Sequence, residues 1–294
     1  MKKQMGISIL LCLSIGILAS WSDAQTTADF HEVEQILGFP GQIQEGAMVF
    51  PFPRSDITVT IYGENVPTAF GFGSWTAWKN MGSDTMVMGD LVLLEKEINP
   101  VISALAEENI NVTALHNHFL GEKPRIMYMH IHGVGQAGML ARGIRKALDK
   151  TETPRSQPAQ TSAPPVIDAK RIEQIIGHPG HAGGGIFKIV VGRPGVRAYG
   201  MELTSSMGLN SWIAFIGTNE RAHIAGDMAM VANEVNPVIR VLRKHGIRIL
   251  AVHNHMLDEE PRIFFLHYLG TGKVENLARA FRDALSQFKK QEVK

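Results

Sequence analysis

The stretch from Leu115 to Gly133, LHNHFLGEKPRIMYMHIHG, is written a second time from Val252 to Gly270, VHNHMLDEEPRIFFLHYLG, and the two copies hold seven of the chain's twelve histidines. His116, His118, Arg125 and His130 map onto His253, His255, Arg262 and His267 at one offset of 137 residues. A period that long is far beyond the roughly 20 to 50 residues of a solenoid repeat, so it marks the duplication of a whole domain. The fold therefore has to accommodate two copies of one unit, each carrying a histidine-bearing hairpin.

The rest of the unit is legible around that hairpin. Thr27 to Leu37 has a helical apolar stripe of Phe30, Val33, Ile36 and Leu37 that stops at Gly38 with Pro40 behind it, a helix end with glycine just past the last turn. The ending returns at Ile176-Gly177-His178-Pro179, now at an offset of 139. From Ala47 to Leu94 the runs MVFPF, ITVTIYG, SWTAWK and TMVMGDLVLL read as four short strands. Ser74-Trp75 and Gly89-Asp90 match Ser211-Trp212 and Gly226-Asp227. Glu97 to Glu108 and its copy Glu234 to Lys244 read as helices with proline in the first turn, where the missing N–H has no partner to lose. Gln136 to Leu148 and Lys273 to Leu285 follow the hairpins as further helices. Each unit is thus α-β-β-β-β-α-β-β-α. The expected fold is α+β: two repeated domains, 25–149 and 167–288, each an antiparallel sheet with helices packed on one side, related by a pseudo-two-fold. Lys150 to Val166, with four prolines and no apolar period, reads as an extended linker, and 289–294 as a tail.

The first 24 residues read as a signal peptide: Lys2 and Lys3, an apolar run from Gly6 to Ala19, and Ser22-Asp23-Ala24 as a small-x-small cleavage pattern. Leu11 stands where a lipid-attachment site at Cys12 wants a small residue. Cleavage implies a secreted or periplasmic protein with no transmembrane segment in the mature chain. It removes the single cysteine and leaves 27 basic and 27 acidic residues. Such a chain folds without disulfides, and its charge balance argues against nucleic acid as a partner.

Two residues apart in a strand share a face, so His116 and His118 point one way, and His130 and His132 share a face of the next strand. Whether the pairs converge depends on register. If Leu120 faces Ile126, His116 lies opposite His130 and His253 opposite His267; a shift of one residue separates them. Apolar residues do not decide it: Val112, Ala114, Ile126 and Tyr128 would share the histidine face, and Leu115, Phe119, Met127 and Met129 the other. The candidate metal ligands are His116, His118 and His130 in one unit and His253, His255 and His267 in the other. Zinc or copper accepts such a set, and three imidazoles with one open position are the geometry of catalytic zinc. Asp90, Asp227 and His132, which becomes Leu269, are further candidates as ligands or orienting groups. The competing reading makes the histidines a structural polar network and requires no cofactor.

Arg125 and Arg262 suit an anion clamp, or a pairing with Glu122 and Glu260 in their own loops. Glu97 and Glu234 read as helix-start residues complementing the dipole, and Trp75, Trp78 and Trp212 as core or pocket-wall aromatics. Gly133-Val134-Gly135-Gln136-Ala137-Gly138 fits a dinucleotide fingerprint by letter, but its strand belongs to a hairpin and the second copy breaks it. His-Asn-His lacks the ββα context of the nuclease motif of that name, and no nucleophile elbow or H-E-x-x-H helix occurs.

The runs GDLVLLEKEINPVISAL and NVTALHNHFLGEKPRIMYMHIHGVG, with their second copies, resemble the LppY/LpqO family of secreted bacterial proteins, a family of unknown function. The resemblance covers roughly 29–149 and 167–288, and the chain departs from it by lacking a convincing lipid-attachment cysteine. It implies architecture and secretion and hands over no reaction. Two functional readings stay open: a transition-metal-binding protein of the envelope, extending to a metal-dependent hydrolase, and a non-catalytic module that binds a small molecule, an envelope component or a partner.

Overall fold

The computed structural model describes residues 30–155 and 165–288. The expected signal segment 1–24, the middle of the linker and the tail 289–294 lie outside the described residues.

The first repeat runs α1 (His31–Leu37), β1 (Gln42–Gln44), β2 (Ala47–Pro53), β3 (Val59–Ile61), β4 (Glu64–Val66), β5 (Gly73–Met81), β6 (Asp84–Leu94), α2 (Ile98–Glu107), β7 (Asn111–His116), β8 (Glu122–Lys123), β9 (Ile126–Gly135) and α3 (Ala137–Leu148). The second repeats it element for element: α4 (Ala169–Ile176), β10 (Gly180–Gly183), β11 (Ile186–Gly192), β12 (Arg197–Ala198), β13 (Met201–Glu202), β14 (Asn210–Gly217), β15 (Ala222–Val231), α5 (Ala232–Lys244), β16 (Arg248–His253), β17 (Glu259–Glu260), β18 (Ile263–Gly272) and α6 (Val274–Leu285). As expected, α1 and α4 end on glycines at φ +78° and +83°, a left-handed geometry that costs glycine nothing, with the Gly38 and Gly177 N–H groups returned to Glu34 and Glu173 carbonyls.

Each repeat builds a six-stranded antiparallel sheet, in the order β1-β2-β5-β6-β9-β7 and β10-β11-β14-β15-β18-β16. The run ITVTIYG does not join it. Its strand β3 pairs with β4 and with β8 in the hairpin loop, Thr60 facing Lys123 and Ile61 facing Glu122. Val59 and Ile61 are thereby buried against the rim of the interface between the repeats.

One face of each sheet carries the helices. In the first repeat Val33, Leu37, Val101, Leu105, Ile144 and Leu148 pack on Trp78, Val87, Leu91, Met129 and Ile131. The other face meets the other repeat. Ala77, Met86 and Met88 pack with Val196, Leu203, Met256 and Phe265, and Val92 and Tyr128 with Ile186, Ala214 and Leu269. The molecule is therefore four layers, helices, sheet, sheet and helices, which explains why β6 is buried along almost its whole length and apolar on both faces.

Glu97 and Glu234 do more than complement helix dipoles. Each accepts the backbone N–H three residues back, of Leu94 and Val231, and each forms a buried ion pair, with Arg54 at 2.8 Å and Arg193 at 2.7 Å. The two arginines correspond at the offset of 139 and Tyr62 and Tyr199 at 137, so the two-residue length change lies between them. The start of the linker is held: Glu152 pairs with Lys96 and Thr153 is buried.

Candidate metal centre

The hairpin register differs from the one expected. Tyr128, not His130, lies opposite His116, and Ala114 lies opposite His130; in the second copy Phe265 faces His253 and Ala251 faces His267. The difference is two residues, so the face is preserved and the histidines still converge. Convergence depends on a β-bulge. Before it, Val112 faces Ile131; after it, Ala114 faces His130, with Thr113 the extra residue. Continued without the bulge, the earlier register would put His116 opposite Met127, on the helix side of the sheet. The bulge also moves Val112 off the histidine face, contrary to the expectation above, to pack against the helix-side core. Leu250 plays the part of Thr113 in the second copy.

Because the histidine face is the face that meets the other repeat, the two hairpins form one cluster rather than two. His116 and His253 stack across the interface with ring centroids 3.5 Å apart. His130 stacks on His255 and His118 on His267, both at 3.7 Å. Each of these contacts maps onto itself or the other when the repeats are exchanged, so the pseudo-two-fold passes between His116 and His253. Tyr128 backs His118 and Phe265 backs His255, both at 3.3 Å, closing the ends of the stacks.

Tautomers are set from outside. The Nδ1 atoms of His116 and His253 lie 3.2 and 3.0 Å from the carbonyls of Asn117 and Asn254. His130 and His267 are likewise bound to the backbone at Gly89 and Gly226. An imidazole that donates from Nδ1 presents a lone pair at Nε2. His116 Nε2 and His130 Nε2 approach to 2.9 Å, while the Nε2 atoms of His253, His255 and His267 and both nitrogens of His118 are buried without a protein partner among the described residues. Nitrogens of His116, His253, His255 and His267 all lie within 4.8 Å of one another, as do those of His116, His118 and His130. Neighbouring donors around an ion at Zn–N distances of about 2.0–2.1 Å stand roughly 3 Å apart, so modest closure brings either set to ligating geometry.

Burial pushes all six imidazoles down, His116 to about 3 and His253 to about 4, and mutual repulsion adds to it at His116, His118, His130, His255 and His267. They are neutral at ordinary pH. Asp90 and Asp227 sit beside them, directly across the strands from His130 and His267. Burial pushes Asp90 up to about 7 and raises Asp227 as well. Asp227 accepts the Leu266 N–H at 3.1 Å and lies 3.8 and 3.9 Å from His267 Nδ1 and His255 Nε2. Asp90 Oδ1 is buried without a hydrogen-bond partner among the described residues.

The remaining expectations separate. His132 shares the histidine face but stacks on Tyr199 at 3.5 Å, outside the converging set. Arg262 donates to the Met256 and Leu257 carbonyls and pairs with Glu259 at 3.4 Å, not with Glu260; Arg125 is exposed. Neither faces the cluster. Trp78 is core, whereas Trp75 and Trp212 lie at the interface over Gly208 and Gly71. Sequence reasoning passed over Thr113, whose hydroxyl donates to the His255 carbonyl at 2.6 Å and latches one hairpin to the other. It also passed over Arg54 and Arg193, which the offset of 139 would have paired.

No curated protein matches the chain. Among solved structures, a trimeric bacterial microcompartment shell protein, PduB, is 15% identical over 86% of this chain and 95% of its own, with a TM-score of 0.21. EtuB from Clostridium kluyveri is 9% identical over 85% and 91%, with a TM-score of 0.20, and an unknown protein from Galdieria sulphuraria 11% identical over 70% and 90%, with a TM-score of 0.17. Superpositions that poor carry no argument. The sequence pattern described as Domain of Unknown Function (DUF1259) matches residues 31–150 and again 170–287, and the chain belongs to that family, as a tandem duplication of it.

Proposed function

We propose that the protein binds a transition metal, zinc or copper, in a centre built jointly by the two repeats, its donors drawn from His116, His118, His130, His253, His255 and His267. The observation that carries this reading is the set of five buried imidazole nitrogens with no hydrogen-bond partner among the described residues, next to a sixth and seventh that face each other at 2.9 Å. An unsatisfied buried polar atom costs about 1–3 kcal/mol. Five of them amount to a sum comparable with the whole stability of a domain, about 5–15 kcal/mol. A cation bound through one nitrogen of each ring removes part of that cost, and Asp90 and Asp227, which burial holds toward their protonated forms, would ionise to compensate its charge. A purely structural network explains the burial but leaves the lone pairs pointing at one another.

Hydrolysis needs a coordination position open to water and substrate. Imidazoles enclosed between two sheets favour holding the ion over activating water on it, so the site suits metal capture rather than hydrolysis. The expected signal segment and the sequence resemblance to the LppY/LpqO family support a periplasmic or extracellular place for this activity. Among the described residues no helix is long and apolar enough to cross a membrane.

Metal analysis of the purified mature protein, beside a His116→Ala/His253→Ala variant, tests the proposal. Near-stoichiometric zinc or copper that disappears in the variant is the expected result. A protein that remains empty after metal-replete purification sinks it.

A further inference from the structure

The pseudo-two-fold breaks at one place beside the cluster, and the break has a chemical character. A narrow cavity in the interface is lined by Met88, Met207, Met256, Trp75, His130 and His255. All three methionines are buried. The same positions across the pseudo-two-fold hold Ala225, Phe70 and Phe119, and there phenyl rings fill the space, with Phe72 stacked on Phe119 at 5.0 Å. One side of the cluster is thus packed with aromatic rings, while the other is walled by methionines and ends on the stacked pair His130 and His255. His255 Nε2 is one of the buried nitrogens without a protein partner, and it belongs to the four-histidine set.

Thioether sulfur is a soft donor and imidazole a borderline one, and a mixture of the two selects copper(I) over zinc, magnesium or calcium. Methionine is also a common filler of irregular gaps. Filling alone, however, does not gather three thioethers around one cavity that ends on two imidazoles, when the mirror-related cavity is filled by phenylalanines. Resting on the metal reading above, we propose that the ion is copper in its cuprous state, and that it is held and admitted through this cavity by the thioethers of Met88, Met207 and Met256 together with His130 and His255. The ring of Trp75 forms the outer wall, where an aromatic face favours a cation.

The experiment loads the mature protein with copper(I) under anaerobic conditions in the presence of a chromogenic cuprous chelator, and in parallel with zinc. The comparison protein is Met88→Leu/Met207→Leu/Met256→Leu, a nearly volume-conserving change. The wild type is expected to hold copper(I) against the chelator and to show sulfur as well as nitrogen scatterers in X-ray absorption. The variant should lose more than about tenfold in copper(I) affinity while its zinc affinity stays unchanged. Copper(I) bound as tightly by the variant, or a wild-type copper shell of nitrogen alone, overturns this inference and leaves the histidine centre standing. A wild type that takes up neither metal overturns both. The absorption measurement on wild-type protein needs no variant, so a variant that fails to fold does not rescue the idea.

Discussion

The two repeats agree where they touch the pseudo-two-fold and part company away from it. On the axis, the six histidines, Asp90 with Asp227, and the bulges at Thr113 and Leu250 correspond position by position. Off it, His132 corresponds to Leu269 and Met88 to Ala225, and Lys188, lying over the Trp212 ring at 4.3 Å, stands where the first repeat has Val49. The buried ion pairs occupy an intermediate position: Arg54 meets both Asp56 and Glu97, whereas Arg193 meets Glu234. A group on the axis serves both halves, and a change there alters the shared centre twice over. A group away from it serves one half and is free to differentiate.

The largest effect should come from acid, because it strikes every axial histidine in both halves. In the folded protein these imidazoles are held well below 6.5, His116 at about 3 and His253 at about 4. Between pH 6.5 and those values the unfolded chain binds protons that the folded one refuses, so stability falls as pH falls through this window. Asp90, pushed up to about 7, and Asp227 work the other way, since their folded carboxyls take protons at a pH where the unfolded ones do not. Six histidines outweigh two aspartates. Denaturation midpoints of the metal-free protein should drop steadily from pH 6.5 to 4, and any bound metal should leave over the same range as protons compete for its ligands. A midpoint that stays level from pH 7 to 5 breaks the argument that the axis carries the strain.

Next in size is a contrast between the halves. Glu234→Gln takes away the carboxylate that pairs with Arg193 and leaves it, among the described residues, neutral acceptors such as the Ala229 carbonyl at 3.4 Å and the Phe288 ring at 4.9 Å, while Glu97→Gln leaves Arg54 still paired with Asp56 and bound to the Val92 carbonyl. Breaking a buried pair by removing one partner costs about 3–5 kcal/mol. Glu234→Gln should reach that range in a chemical denaturation experiment and Glu97→Gln should cost roughly half as much. Equal losses would show that Asp56 contributes nothing and that the two halves are alike here.

Much of this was legible in the sequence because duplication repeats the signal. An offset shared by His116, His118 and His130 singled out the histidines that converge, and glycine and proline punctuation marked α1 and α4. The convergence of the two hairpins was not legible, for a physical reason. A sheet buried on both faces shows no polar alternation, so nothing in TMVMGDLVLL says which side meets helices and which meets the other repeat. The bulge was hidden too, since Val-Thr-Ala and Ile-Leu-Ala carry no glycine or other local mark of an extra residue. Its effect is to turn a register that would separate the histidines into one that joins them.

Thr113 sharpens the comparison at a smaller scale. Its hydroxyl reaches the His255 carbonyl at 2.6 Å, a contact between the halves that Leu250 has no group to mirror. Thr113→Val keeps the shape and removes the bond, for a loss of about 1 kcal/mol. Leu250→Val removes one methylene, about 0.8 kcal/mol. The two stabilities should therefore be nearly equal, but only Thr113→Val should loosen metal retention, read as faster loss of bound metal to a chelator. Equal retention would mean that the latch does not position His255.

The smallest effect expected is a gain. His132 is 5% exposed, burial pushes it down to about 4, and neither of its nitrogens has a protein partner among the described residues. Its stacking on Tyr199 is worth about 0.5–1.5 kcal/mol, against roughly 1–3 kcal/mol for leaving a buried polar atom unsatisfied. His132→Leu, which installs the residue of the second copy, should raise the melting midpoint slightly and leave metal content unchanged. The reverse change, Leu269→His, should lower it, because Tyr62, the counterpart of Tyr199, is taken up by Arg248 at 4.2 Å and offers no ring to stack on. If His132→Leu instead costs metal, the first repeat contributes a ligand that the second lacks. The centre is then asymmetric at its core, and the division between a shared axis and differentiated flanks fails.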